Sequence, residues 1–272
     1  MVLVGSLLSV HLLLEASFSP TWSIIGVTLT AILMLLGLER MIPHKKAWNG
    51  TNPHVYRVDV IHMLGTGLVA ESWRALTFGI MFWCAAQLSH LGLGLWPNDW
   101  GLLPQLVLAL VVGEFFQYWV HRGMHTVWAL WRTHEVHHSS SMLYTLSSSR
   151  IHPLNVMLVY GSQVTPLILL GANIETLALL SVFTSIHGLL QHANIDYKHG
   201  WLNWVFATAD LHRWHHSAEL GESQTNFGSN LIVWDTVFGT RSLPSTEGPP
   251  EVGLEADEIP VNYFSHMAAP FR

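Results

Sequence analysis

Two copies of the pattern His-x-x-His-His, at His134-Glu-Val-His137-His138 and His212-Arg-Trp-His215-His216, stand about eighty residues apart in this chain. A third box, His121-Arg-Gly-Met-His125, ends nine positions before the first copy. No other feature constrains the fold as strongly. On a helix, positions i, i+3 and i+4 share a face, so each box can turn two or three imidazoles towards one place. Imidazole is the commonest protein metal ligand and suits zinc, copper and iron. The boxes hold eight histidines, more than one four-coordinate ion can use, which argues for a two-metal centre. An isolated histidine is ordinarily a hydrogen-bonded core or surface residue. His11, His44, His54, His62, His90, His199 and His266 are read in that way, and replacing His11 or His266 is expected to do little.

Composition decides the setting. The chain has 272 residues, half of them apolar and 11% charged, with 13 Trp, and its mean hydropathy is +0.34. A soluble domain carries roughly a quarter charged residues, so a polytopic membrane protein is the better class. Cys84 is the single cysteine, which excludes an intrachain disulfide and a thiolate metal site. The net charge of -6 comes with no basic stripe, which argues against a nucleic-acid partner. The N-terminus is apolar but lacks a basic leader and a cleavage site, so it reads as a retained membrane segment.

Apolar stretches near the spanning length of about 20 residues fall at 21–38, 76–96, 102–120, 154–170 and 174–191, while 2–14 is too short to assign. Residues 60–75, with Asp59, Glu71 and Arg74, read as an interfacial amphipathic segment. The turns at 97–101 and 171–175 contain no Lys or Arg; the basic residues and all three boxes fall on the opposite side, the inside by the charge rule. The resulting layout is all-α: a polytopic membrane bundle with a histidine-rich helical cap at its cytosolic face. Residues 1–104 are its membrane and interfacial helices, 105–242 the histidine region, and 243–272 an acidic, Pro-rich tail expected to be loosely attached.

A further pair, His187 and His192, lies where the last span re-emerges. A five-residue step turns two side chains about 140° apart on a regular helix, so His192 is the firmer candidate. Glu114 is expensive inside a span. Two turns before His121, it can orient a ligand, or else pair with a base such as Arg74. Asp210 can cap the helix of the third box or accept a histidine N–H, and Asn194 carries a similar ambiguity. His152 is read as site rim, Asn226 to Gly228 as a supporting turn, and Trp201, Trp204 and Trp214 as interfacial anchors.

The ordered set HRGMH, HEVHH, QHANID and LHRWHH, followed by Asn226-Phe227-Gly228 and the stretch from Trp234 to Thr240, resembles the fatty acid hydroxylase superfamily, also called the sterol desaturase family. The resemblance covers roughly residues 105–242. It implies a membrane-bound di-iron oxygenase that uses O2 to hydroxylate or desaturate a lipid, with its metals at the cytosolic face. Carried over by position, the ligands are His121, His125, His134, His137, His138, His192, His212, His215 and His216, with His187 joining them. Many members have HxxxH where this chain steps from His187 to His192, so the number of ligands per metal stays open.

Independently of the resemblance, oxidising an inert C–H bond needs a redox metal. Zinc has no redox chemistry, although all-nitrogen ligation also accepts it and it can substitute in preparations. No dinucleotide fingerprint or haem module is fused here, so electrons would come from a separate b-type cytochrome, ferredoxin or flavin reductase. A carotenoid hydroxylase is a nearby alternative. A membrane metal-binding or transport protein would instead place ionisable groups along a path through the midplane, whereas these histidines gather at one end. A non-catalytic scaffold is expected to have lost a box, and none is lost.

Overall fold

A computed structural model describes residues 1–49, 52–90, 94–254 and 259–272. All regular elements among them are helical: α1 (Val2–Glu15), α2 (Pro20–Met41), α3 (Pro53–His90), α4 (Leu102–Thr126), α5 (Trp128–His138), α6 (Pro153–Leu170), α7 (Ile174–His192), α8 (Ala209–His215), α9 (Leu220–Ser223), α10 (Val233–Phe238) and α11 (Tyr263–Ala268), with short 3-10 turns between. β pairing among the described residues is limited to three isolated bridges. Among the described residues, four helices, α2, α4, α6 and α7, are long and apolar enough to cross a membrane.

The segments 60–75 and 76–96 do not separate as expected. One uninterrupted helix of 38 residues, α3, runs through both. Past its first position it contains no proline to break it. At 1.5 Å per residue it is about 57 Å long, so the stretches expected to be interfacial and spanning form one rod, and among the described residues α3 is not one of the helices apolar enough to cross a membrane. The expected end of that span includes residues 91–93, outside the described residues.

The turns opposite the boxes form where the sequence signals them. Gly171 ends α6 in the left-handed region at φ 95, a conformation that favours glycine. Asn173 then caps α7, its side chain accepting from Thr176 N at 2.8 Å. The two turns are laced together: Asn98 Nδ2 donates to Gly171 O at 3.0 Å, and Asn173 Nδ2 donates to Gln105 Oε1 at 2.9 Å. In lipid, helices associate through close packing and such polar contacts rather than through exclusion of water. α4 is the hub, packing on α5, α6 and α7. It meets α6 at Gly113, where a Cβ would stand 3.0 Å from the Gln163 backbone oxygen.

The C-terminal segment is not loosely attached. Lys45 Nζ donates to Pro249 O at 2.9 Å, Gly253 N donates to His216 O at 3.0 Å, and Ile259 and Ala269 bury against Val136 of α5. His266 on α11 is fully buried, its Nδ1 2.9 Å from His62 Nε2 on α3. Backbone hydrogen bonds and a few apolar side chains dock this Pro-rich stretch, which its composition alone does not reveal.

Candidate metal centre

The boxes reach the site by different routes. α4 runs on as one helix past its apolar stretch and carries His121 and His125 one turn apart. After a single linking residue, α5 turns back with the second box. α8 brings the third box, and α7 ends on His192.

Nine histidines then assemble into two groups. His121, His125, His134, His138 and His215 bring one nitrogen each within 4.8 Å of one another, and His137, His192, His212 and His216 do the same. Each HxxHH box divides between the groups. Its i, i+4 pair, about 40° apart on the helix, enters one cluster, and its middle histidine enters the other. His134 and His138 thus join the first cluster while His137 joins the second; in the third box, His212 and His216 join the second and His215 the first. The clusters touch, with the His138 and His216 rings stacked at 4.3 Å between centroids.

The donor chemistry fits cations. His121 Nδ1 donates to Phe227 O at 2.6 Å, His192 Nδ1 to Gly188 O at 2.8 Å and His215 Nδ1 to Thr225 O at 2.8 Å. Each Nε2 is left with only its lone pair, the form that ligates. Yet His121 Nε2 lies 2.9 Å from His134 Nε2, which is itself 3.2 Å from His138 Nε2. In the second cluster His212 Nε2 is 3.3 Å from His192 Nε2 and 3.1 Å from His216 Nε2. One ring N–H cannot satisfy two such neighbours, whereas nitrogens about 2.0–2.1 Å from a shared ion sit about 3 Å apart. Both nitrogens of His125 and the Nε2 of His215 are buried without a hydrogen-bond partner among the described residues.

Electrostatics favour the same state. Burial, then the neighbouring imidazoles, holds His134, His137, His138, His212 and His216 well below the ordinary histidine pKa. Burial and His121 do the same to His215, against the pull of the Thr225 carbonyl. At neutral pH the rings are uncharged and ready to bind a cation.

A buried frame holds the imidazoles. The Phe227 carbonyl that receives His121 belongs to a turn whose N–H groups are clamped: Asp235 accepts from Phe227 N and Gly228 N, each at 2.7 Å. Glu114 accepts from Ser229 N, from Asn230 N at 3.0 Å and from Asn230 Nδ2 at 2.9 Å. Glu114 thus binds the backbone that follows the Phe227 turn rather than a cluster histidine; the Arg74 side chain lies outside the described residues. The Asn155 amide stands 2.8 Å from His134 Nδ1. On the α3 side, buried Arg150 pairs with Asp59 at 2.6 Å and donates to Ser139 O at 3.2 Å, just past the second box.

Other candidates lie elsewhere. His187 is outside both clusters: α7 stays regular to His192, so the five-residue step turns His187 away, towards Ala207 O at 3.0 Å. Asp210 is neither a cap nor a ligand partner. Thr208 holds the N-cap position, and Asp210 binds Arg213 at 3.3 Å and His199 at 3.0 Å. Asn194 ties the chain after α7 to Lys45 and Asn49. His152 caps α6, accepting from Leu154 N at 3.1 Å. Trp201 and Trp204 are exposed as anchors would be, but Trp214 is buried with its indole N–H on Ser245 O. Sequence reasoning passed over Asn155 and Asp235. A polar residue at the head of an apolar span was the signal for the first, and a carboxylate in the quoted Trp234–Thr240 stretch for the second.

Residues 106–240 match the family model described as fatty acid hydroxylase. An ornithine lipid hydroxylase of Rhizobium tropici is 31% identical over 249 residues, covering 90% of this chain and 74% of that protein. A very-long-chain aldehyde decarbonylase of Oryza sativa subsp. indica is 26% identical, covering 53% of this chain and 54% of its own length. A methylsterol monooxygenase of Arabidopsis thaliana is also 26% identical, covering 50% of this chain and 52% of its own. The chain thus spans about half the length of these plant enzymes. No solved structure matches it. With the boxes converging in space and a relative aligned over most of both chains, this protein belongs to the fatty acid hydroxylase family.

Proposed function

We propose that the protein is a multi-pass membrane oxidoreductase that uses a pair of irons and O2 to hydroxylate or desaturate a lipid. The observation that carries this reading is the division of nine histidines into two touching clusters of five and four, each with converging lone pairs. His121, His125, His134, His138 and His215 would hold one iron, and His137, His192, His212 and His216 the other. Two bound irons would supply the redox chemistry, which zinc lacks, for activating O2 against an unactivated C–H bond.

The chain's own residues do the rest. The carbonyls of Phe227, Gly188 and Thr225 hold three imidazoles in the ligating tautomer. All nine rings are buried, which keeps bulk water from the reacting centre. The clusters face the cytosol, where a separate donor such as a b-type cytochrome, ferredoxin or flavin reductase delivers electrons. The relationship to a hydroxylase named for ornithine lipid favours hydroxylation of a polar membrane lipid.

Metal analysis of detergent-purified protein beside a His215→Ala/His216→Ala variant tests the reading. About two irons per chain in the parent and their loss in the variant are expected. A parent that binds none after anaerobic iron reconstitution, or a variant that keeps both, would overturn it.

A further inference from the structure

The chain that follows the third box does not stay at the level of the boxes. Its contacts run down α4 and back up again. Phe227 O receives His121. Ser229 N and Asn230 N donate to Glu114, two helical turns further from the boxes. The Trp234 indole N–H reaches Val111 O at 3.1 Å, and its ring packs on Phe115. The return follows at once: Phe238 packs on Tyr118 and Trp119, and the Thr240 hydroxyl lies 3.0 Å from Tyr118 Oη. Asn226 N donates to Thr240 O at 3.0 Å and closes the neck of this loop.

The depth follows from helix geometry. Val111 precedes His121 by ten positions on one continuous helix, which is about 15 Å of rise and about half the hydrocarbon thickness of a bilayer. Because α4 has the length and hydropathy of a spanning helix, the loop beside it descends to that depth as well.

Its residues suit such a place. Between Ser229 and Gly239 the one charged side chain is Asp235, which is fully buried. Val233 and Val237, one turn apart on α10, are exposed beside the exposed Val107, Val111, Phe116 and Trp119 of α4. A continuous apolar face of this kind is matched by hydrocarbon rather than by water. The Thr236 hydroxyl on the same short helix is turned onto Ile232 O at 3.1 Å. Basic side chains return at the neck, where Arg241 lies over Trp204 at 3.8 Å and Arg122 over Trp119 at 5.5 Å. Tryptophan is enriched at the headgroup level, where long basic side chains also reach.

Irregular backbone is tolerated at membrane depth only where protein satisfies its polar groups. Glu114 takes two N–H groups of the descending strand, Ala207 N donates to Asn230 O at 2.9 Å, and Ile232 N donates to Val205 O at 3.1 Å. A carboxylate inside a span is expensive; here it serves as the acceptor that an incoming backbone needs.

We propose that residues 229–239 form a re-entrant membrane loop, anchored at depth by Glu114, whose outer face of Val233 and Val237 is covered by lipid acyl chains. This placement rests on the multi-pass reading and is independent of the metals.

Spin labels in a Cys84→Ser background, with the full chain in liposomes, test it. Labels are placed at Val237→Cys on the loop, Val107→Cys on the face of α4, and the exposed Glu251→Cys outside the loop. Collisions with O2, which partitions into hydrocarbon, are compared with collisions with a water-soluble nickel chelate. Val237 and Val107 are expected to favour O2, and Glu251 the chelate. Adding Glu114→Ala should raise chelate access at Val237 severalfold while leaving Val107 unchanged. A Val237 label that behaves like Glu251 while Val107 stays in lipid overturns the loop alone. A Val107 label in water overturns the spanning reading and the loop with it. Unchanged chelate access at Val237 in the Glu114→Ala protein overturns the anchoring role.

Discussion

Asp235 shows how much of the site depends on a residue that touches no candidate ligand. Its carboxylate takes the N–H groups of Phe227 and Gly228 and the Thr240 hydroxyl, each at 2.7 Å, and Phe227 O takes His121. Burial lifts its pKa above the usual carboxylate range against the pull of those bonds. Asp235→Ala would strand these donors at about 1–3 kcal/mol apiece and free the turn that sets the His121 ring. The expected result is about one metal per chain by elemental analysis, the first cluster being the one emptied. Two metals retained would refute the positioning role. Gly228 beside it is equally constrained, since a Cβ would stand 2.2 Å from Leu231 O. Gly228→Ala should therefore fail to give folded protein, read as yield and Tm. Among the isolated histidines, His11 is a sound control, partly exposed beside Glu15 at 3.5 Å. His266 is not, because it is fully buried against His62.

At the scale of elements, docking of α11 onto α3 makes the C-terminal segment responsive to pH. Burial, then the charges that His62, Arg150 and Arg272 can carry, pushes His266 down to about 3. An unfolded histidine titrates near 6.5. The folded segment therefore binds fewer protons between these values, so its stability is fully present above about pH 6.5 and falls as pH drops towards 3, by at most about 1.4 kcal/mol per pH unit. Hydrogen exchange in residues 259–272, corrected for intrinsic rates, should quicken from pH 7 to pH 5. His266→Leu should flatten that dependence; an unchanged slope in this variant would remove His266 as the cause. The same docking explains why the acidic, Pro-rich composition misled. Disorder is a statement about too little apolar surface to bury, and here Val252, Ile259 and Ala269 are enough, together with backbone bonds to a neighbouring framework.

For the whole molecule, the proposed cytosolic position of the clusters has the largest consequence, because it decides which compartment supplies electrons. In a Cys84→Ser background, a membrane-impermeant maleimide on intact cells should label Asp99→Cys, in the exposed turn between α3 and α4, and should reach the exposed Lys198→Cys only after lysis. The reverse pattern would place the clusters outside. Hydropathy, turn residues and box spacing were readable from the chain alone because each is local: apolar runs of spanning length, Gly171 and Asn173 at their turn, and imidazoles one helical turn apart. Helix geometry turns His187 away from His192 on a regular α7, whereas the resemblance had His187 joining the ligands, and neither cluster includes it. Only tertiary structure decided that each HxxHH box splits between two clusters, that Phe227 and Asn155 support His121 and His134, and that both clusters open onto one cavity between α6 and α7. Those outcomes depend on how α4, α5, α7 and α8 cross, which is set by packing between segments far apart in the chain and leaves no periodic mark on any one of them.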